Sequence, residues 1–283
     1  MDGVIVINKE KNITSNDVVQ RVKKILNVKK VGHAGTLDPL ACGVLPILVN
    51  EGTKLSKYLI NHNKTYIATI KLGEKKTTGD SEGKTIETSK VREYSLNEIN
   101  NVLNSFLGIQ KQIPPMYSAI KKNGKKLYEY AREGIEIQRE PRTIEIYNIS
   151  FISYFNDTIK FEAEVSKGTY MRVLCENIAE QLGTVGYMSN LLRTKVDKFC
   201  IENSIKVDEL EKNNIKAFIT LEKFFDDKDK IELNENELVQ FLNGACIEKN
   251  LPNNVYRIYC SKFIGIGVVK ENRLKRDIVS LKK

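Results

Sequence analysis

The 283-residue sequence predicts an α+β protein built on a mainly antiparallel sheet, with a small β-rich unit at its C-terminal end. Three observations lead there. KTYIATIKLG (64–73) and TIKFEAEVSKG (158–168) alternate apolar with polar residues at the two-residue period of a half-buried strand. Helical and strand patterns mix without a regular strand–helix–strand rhythm, which argues against a parallel sheet. After a charged junction, FFDDKDK (224–230), short strand patterns return for about fifty residues.

Each element carries its own signal. GVIVIN (3–8) is a continuous run dominated by β-branched residues and reads as a buried strand. Thr14 or Ser15 can cap the next helix, where Val18, Val22, Ile25 and Leu26 fall at helical spacing. Its continuation, RVKKILNVKK (21–30), carries five basic residues and no acid, a basic helical face that leads into a glycine-rich stretch. In 64–73, Tyr66, Ala68, Ile70 and Leu72 share one face. From Lys111 to Lys126 there are five lysines, no acid, a Pro114–Pro115 pair and an exposed Tyr117. That combination describes either a solvated surface loop or a stiff basic loop able to grip an RNA backbone and stack a base. In 158–168, Ile159, Phe161, Ala163 and Val165 point inward until Gly168 breaks the strand. A helix is expected from about Tyr170 to Leu182, with Thr169 as its N-cap and Leu174, Ile178 and Leu182 as its inner stripe. Arg172 then sits in the first turn, where the helix dipole disfavours a cation unless an anion is close. The glycines of FIGIGVV (263–269) stand where side chains would crowd a curved strand.

Composition narrows the function. With 45 Lys+Arg against 36 Asp+Glu, a net charge of +9 leans toward a polyanionic partner. Cys42, Cys175, Cys200, Cys246 and Cys260 are scattered and form no CxxC pair, so no disulfide framework or zinc site is expected. His33 and His62 are too few for a histidine-rich metal centre. MDGVIVINKEK has too short an apolar run for a signal peptide, and no stretch approaches a membrane span. The expected setting is the cytoplasm, with reduced thiols.

The densest chemistry lies in VGHAGTLDPLACGVLPILV (31–49), whose single carboxylate is Asp38. Pro39 disfavours a helical conformation at Asp38, and Gly32, Gly35 and Gly43 permit backbone angles closed to other residues. An Asx-type turn is one reading of this loop. A P-loop is not, since the glycine spacing is wrong and no Lys-Ser/Thr follows. Most glycosidases need two carboxylates, and the next acid, Glu51, lies across an apolar segment. Metal-assisted chemistry lacks ligands. The remaining catalytic reading is one acid acting as a nucleophile or an electrostatic stabiliser.

GHAGTLDPLACGVLPI resembles the signature of TruB-type tRNA pseudouridine synthases, which isomerise uridine 55 in the tRNA T-loop. The likeness continues in family order through NKEKNITSNDVV (8–19), NKTYIATIKLG (63–73), IPPMYSAIKKNGKKLYEYAREG (113–134), SKGTYMRVLCENIAEQLG (166–183) and LLRTKVDKF (191–199). It implies a pseudouridine synthase catalytic domain over residues 1–227, with a basic thumb-like loop at about 111–143. It also implies a PUA-like RNA-binding domain over 228–283. By resemblance, Asp38 is the catalytic aspartate that attacks the nucleoside so that uracil can detach, rotate and rejoin through C5; attack at C1′ or at C6 stays open. Tyr66 matches the tyrosine that stacks on the flipped uracil, Arg172 the arginine paired with the aspartate, and Tyr170 the aromatic beside it. Leu191 matches a uracil-pocket residue, and His33 a histidine holding the everted loop. Lys64, Tyr117, Lys121 and Lys125 are expected RNA contacts.

The resemblance further implies base flipping on the T-stem-loop and, because the reaction is an isomerisation, no cofactor and no metal. A monomer with no obligatory protein partner is expected. Departures from the family pattern fall at Glu10 and Asn12 (usually Pro and Gly), Lys76, Leu192 (usually Arg) and Asp197 (usually Gly). The rival readings are a non-catalytic RNA-binding protein and an RNA-guided homologue on the same scaffold. The joint presence of Asp38, Tyr66 and Arg172 argues against the first. The ending DIVSLKK, without a long basic tail, favours a stand-alone enzyme over the second.

Overall fold

Apolar runs near the N-terminus supply the middle of the structure. In the computed structural model, residues 1–210 and 217–280 are described; residues 211–216, inside the expected catalytic domain, and 281–283 of the DIVSLKK ending lie outside them. The first half of the chain forms β1 (Gly3–Lys9), α1 (Ser15–Leu26), β2 (Val31–His33), β3 (Cys42–Val49), α2 (Ser56–Leu59), β4 (Lys64–Leu72), β5 (Glu74–Lys76), β6 (Thr85–Thr88) and α3 (Leu96–Asn104). Next come β7 (Gly108–Gln112), β8 (Lys121–Lys122), β9 (Lys125–Lys126), α4 (Leu127–Arg132), β10 (Arg142–Phe155), β11 (Thr158–Val165), α5 (Met171–Gln181), β12 (Gly186–Val196) and β13 (Phe199–Cys200). The chain closes with β14 (Phe218–Thr220), α6 (Leu221–Phe224), β15 (Lys230–Glu232), α7 (Glu235–Asn243), β16 (Ile247–Glu248), β17 (Asn254–Cys260), β18 (Lys262–Lys270) and β19 (Arg273–Val279).

Among the described residues the main sheet has ten strands, in the order β14-β1-β3-β12-β4-β11-β10-β7, with β13 on β12 and β2 on β3. Every pairing is antiparallel except β3–β12, joined in parallel at Leu192↔Cys42 and Arg193↔Gly43. The expected α+β architecture with a mainly antiparallel sheet is the one observed. That single parallel contact lays the start of β3 beside the buried Arg193. The alternation read from the sequence appears as burial, with Tyr66, Ala68, Ile70 and Leu72 of β4 and Ile159, Phe161, Ala163 and Val165 of β11 all in the core. Helices α1 and α5 contribute Val18, Val22 and Leu26, and Leu174 and Ile178, to the same core.

Local expectations are corrected in four places. The basic helix 21–30 ends at Leu26, because Asn27 takes the left-handed conformation (φ 50°) and donates its N–H to the carbonyls of Lys23 and Lys24. Thr169 is not the cap of α5. Its hydroxyl turns back to the Ser166 carbonyl (3.0 Å), and Tyr170 takes the N-cap position without a side-chain cap. Gly32 needs no special backbone angle, unlike Gly35 (φ 95°) and Gly43 (φ 102°). Tyr117 is half-buried rather than exposed.

The second sheet, β15-β17-β18-β19-β16, forms the C-terminal unit and has its own core around Ile231, Phe241, Ile258 and Leu274. A Cβ on Gly265 would meet the Ile278 carbonyl at 2.1 Å, which accounts for that glycine of FIGIGVV. The unit is also fused to the main body. Ile266 and Ile278 pack with Val4, Val6, Leu48, Leu55, Leu59, Phe224 and Phe225. At the rim, Asp277 accepts from Lys57 and from the Tyr58 hydroxyl, and Ser280 bonds Asp2. Among the described residues no helix is long and apolar enough to cross a membrane.

Ile278 is fully buried at this junction, so Ile278→Ala leaves a cavity shared by both sheets. It should cost about 2–5 kcal/mol. Urea unfolding checks this, and a single coincident transition by tyrosine fluorescence and far-UV circular dichroism is expected.

Candidate active site

Leu37 and Ala41 anchor the segment between β2 and β3 in the core, and backbone carbonyls with distant partners fix the rest of its shape. Asp38 opens a tight turn in which Ala41 N–H donates to the Asp38 carbonyl (3.0 Å), with Pro39 supplying the required φ. Two buried cations hold the loop on either side of that turn. Arg193 donates from Nε to Val44 O (2.7 Å), from Nη2 to Gly35 O (3.0 Å) and from Nη1 to Thr36 O (3.5 Å). Lys9 donates to Glu10 O (2.9 Å), Ile13 O (2.7 Å) and Pro39 O (3.2 Å). Ser15 adds a two-way clamp on Leu37, accepting from its N–H (2.9 Å) and donating to its carbonyl (3.0 Å).

Neither Lys9 nor Arg193 is ion-paired among the described residues. Carbonyl oxygens supply their compensation, which a buried cation requires. Gly43 permits the arrangement: a Cβ there would meet the Arg193 carbonyl at 2.2 Å. Burial pulls the Lys9 pKa down to about 8. Asn12, standing where the family pattern has glycine, takes φ 66° and donates its N–H to Pro39 O (2.9 Å), so the turn keeps its form. Asparagine is among the few residues that tolerate this region.

Asp38 projects from the clamped loop with its side chain 41% exposed, and Arg172 meets it from below at 3.2 Å with a side chain only 7% exposed. Arg172 comes from the first turn of α5, as expected. Its guanidinium also donates to Thr78 O (3.0 Å) and Tyr117 O (2.7 Å), and its Nε lies 3.7 Å from Asp80. Asp80 is buried, and it accepts from Thr78 Oγ1 (2.5 Å) and Glu82 N–H (3.1 Å). Burial, with the charges of Asp80 and Asp38, pushes the Glu82 carboxyl above its ordinary value. The result is one solvent-facing carboxylate held by a buried guanidinium, with a second carboxylate behind it.

The remaining expected residues divide into two groups. Tyr66 is buried on β4 directly across from Arg193, and Leu191 is buried across from Ala68 on the same pair of strands. Both belong to the core cluster that holds Leu37 and Ala41 from either side of Asp38. Lys64 passes under the loop, since a Cβ on Gly35 would lie 4.0 Å from its Cε. Tyr170 precedes Arg172 at the mouth of α5, and Tyr117 reaches the site through its carbonyl. His33 ends β2 with a buried Nδ1 that has no hydrogen-bond partner; burial, then the Arg193 charge, lowers its pKa. Lys121 and Lys125 are not drawn into this cluster. They lie on the β8–β9 hairpin, where Lys125 pairs with Glu133 and sits over the Tyr130 ring.

Four residues of the cluster were not singled out from the sequence: Lys9, Asp80, Gln112 and Arg193. Lys9 left a signal, being the one charge that ends an otherwise apolar strand. Arg193 lay inside LLRTKVDKF without any mark of burial, and Asp80 is a family position retained just beyond NKTYIATIKLG, also without such a mark. Gln112 gave no signal.

The chain is similar to known proteins over most of its length. The family model described as TruB family pseudouridylate synthase (N terminal domain) matches residues 23–171. Among curated relatives, tRNA pseudouridine synthase B of Clostridium tetani is 44% identical over 275 residues, covering 94% of this chain and 95% of that protein. The protein of the same name from Clostridium novyi is 44% identical over 284 residues, covering 97% and 98%. Among solved structures, a chain of a Cbf5-Nop10-Gar1 complex superposes with a TM-score of 0.68 at 26% identity, covering 99% of this chain and 84% of that one.

The site carries a pH signature. Burial brings the Lys64 pKa down from 10.5 to about 8, with Arg193 and Lys167 adding to the shift. The unfolded chain therefore binds more protons than the native one between about pH 8 and 10.5. The cost of the buried charge is present in full below that window and relieved as pH rises through it. Lys64→Gln removes this contribution, so its urea midpoint should gain less than the wild-type midpoint between about pH 8 and pH 10.

Proposed function

Because the chain belongs to the TruB family of pseudouridylate synthases, we propose that it isomerises uridine 55 in the T-loop of tRNA to pseudouridine. The family makes it a pseudouridine synthase, and hence an isomerase. The choice of uridine 55 rests on the family resemblance. One observation supports Asp38 as the residue that acts: it is the exposed carboxylate of a clamped loop, held from beneath by the buried Arg172. A nucleophile needs this combination of access to substrate and fixed direction. The reaction breaks the N1–C1′ bond and forms a C5–C1′ bond; C5 gives up its proton and N1 gains one, so no redox partner is required.

Each role rests on placement. Arg172 holds Asp38 through one guanidinium nitrogen, 3.2 Å from its carboxylate, while its other donors face Thr78, Tyr117 and Asp80, a planar arrangement that lysine cannot reproduce. Tyr66 and Leu191 form the apolar wall that receives the flipped uracil, and the Tyr66 hydroxyl moves the C5 proton. Tyr170 lies at the mouth of the site. Extruding a stacked uridine costs a few kcal/mol, offset by stacking and by backbone contacts. Lys64, the thumb at 111–143 with Tyr117, Lys121 and Lys125, and His33 supply those contacts. The unit at 228–283 acts as a PUA-like RNA-binding domain. The unit carries the exposed Lys262, Lys270, Arg273, Lys275 and Arg276, a supply of cations for phosphate contact. The enzyme works in the cytoplasm as a monomer, without a guide RNA or obligatory protein partner.

A tritium-release assay on tRNA carrying 5-tritiated uridine, run with the purified chain alone, tests this reading and separates it from the guided and non-catalytic alternatives. Release that is lost when position 55 is changed to cytidine is expected. Asp38→Asn should lower turnover at least about 100-fold while tRNA affinity changes little, because an amide keeps the shape but is a far poorer nucleophile. Residual turnover within about tenfold of wild type would remove Asp38 from that role. Tyr66→Phe keeps the ring and loses the hydroxyl. In single turnover it should bind tRNA normally and stall before the C5 proton is released; normal product formation would exclude the proton-transfer role.

A further inference from the structure

We infer that Gln112 is a positioning residue for this reaction, its amide tying the first turn of α5, and so Arg172, to the base of the thumb. The inference rests on the function proposed above. The start of α5 has no capping side chain of its own: Tyr170 has none to offer, and the Thr169 hydroxyl is engaged with Ser166. A helix start without a cap leaves backbone N–H groups to be satisfied elsewhere.

Gln112, the last residue of β7, is 5% exposed and takes that place from across the fold. Its Oε1 accepts from Tyr170 N–H at 2.8 Å, and its Nε2 donates to the Tyr170 carbonyl at 3.1 Å. Only one orientation of the amide satisfies both, since a flipped amide would set donor against donor and acceptor against acceptor. Two bonds to one residue fix both its position and its rotation. Glutamine is used here as a peptide group would be at a strand edge.

The active-site arginine stands immediately beyond this anchor. Arg172 leaves the helix two residues after Tyr170, and the nitrogen that contacts Asp38 also donates to Tyr117 O (2.7 Å). Tyr117 lies five residues beyond Gln112 on the thumb. The segment 112–117 is thus stitched to the first turn of α5 at both ends, by the Gln112 amide and by the Tyr117 carbonyl. A shift of that turn by a fraction of an ångström would lengthen the 3.2 Å contact to Asp38. Misplacements of this order cost catalysis heavily while leaving binding surfaces in place.

A residue that only satisfied a buried helix start would lower stability whatever stood at position 172. A positioning residue acts through Arg172, and a double-mutant cycle separates the two. The measurement is the single-turnover tritium-release rate on the tRNA transcript for wild type, Gln112→Ala, Arg172→Lys and the double variant, with tRNA dissociation constants alongside. Gln112→Ala should slow wild type about 10- to 100-fold with the dissociation constant changed less than about threefold, and should slow Arg172→Lys less than about threefold. Gln112→Glu is of equal size; it keeps the acceptor for the Tyr170 N–H but sets an oxygen against the carbonyl. It should fall between the two, and it stands in for the alanine variant if that protein does not fold. A loss of equal size in both backgrounds, or a rate within about twofold of wild type for Gln112→Ala, overturns the inference. Inactive wild-type protein overturns the proposed function and this role together.

Discussion

The guanidinium of Arg172 is the point on which the rest of the site depends. It is almost wholly buried, and it reaches four elements at once: the Asp38 loop, the Thr78 turn, Asp80 behind that turn, and the thumb at Tyr117. A buried cation of this kind is tolerated only when its donors are occupied, and here backbone carbonyls and carboxylates occupy them. Because the geometry of guanidinium is planar and fixed, occupying its donors also fixes where those four elements stand. Stability and the placement of Asp38 are therefore served by the same contacts.

The Asp38 loop extends the same logic to the backbone. Leu37 and Ala41 seat the loop in the core on either side of Asp38. Lys9 and Arg193 fix the rest, by drawing carbonyls of the loop and of β3 onto charges held inside the sheet. Their cost is visible in the lowered pKa of Lys9, and the positive field of Arg193 reaches His33 and Lys64 as well. The gain is a carboxylate that projects into solvent without freedom to wander. Such pre-organisation belongs to sites that act on a charge as it develops, where reorganising the protein during the reaction would be costly.

The departures from the family pattern are accommodated in the same physical terms. Asn12 and Asp197, each replacing a usual glycine, adopt left-handed backbone angles (φ 66° and 53°), which their short polar side chains tolerate. Asp197 also pairs with His62 (3.1 Å), tying the β12–β13 turn to the segment before β4. Glu10 is exposed beside Lys206. Lys76 pairs with Glu74 and bonds Thr85, while Thr78 and Asp80 keep their hydrogen bond. Leu192 is half-buried at the parallel β3–β12 contact. None of these changes touches the Asp38–Arg172 pair.

By itself the sequence determined the strands and helices that carry the core, because period-two and helical burial patterns are local properties of the chain. Alternation in β4 and β11, the Thr14 cap of α1 and the constrained loop around Asp38 could all be read there. That Arg172 needs an anion could be read there too, from its place in the first turn of a helix; that Asp38 is the partner came from the family resemblance. The tertiary structure alone decided what lies behind that pair. Lys9, Gln112 and Arg193 act on backbone atoms 30, 58 and up to 158 residues away, and a carbonyl leaves no mark in the sequence to show which side chain will reach it. The end of the basic helix at Asn27, the cap of α5 at Tyr170 and the shared core between the two sheets were decided the same way. Each depends on which distant group arrives to satisfy a buried polar atom or cover an apolar face, and that is settled only when the whole chain is packed.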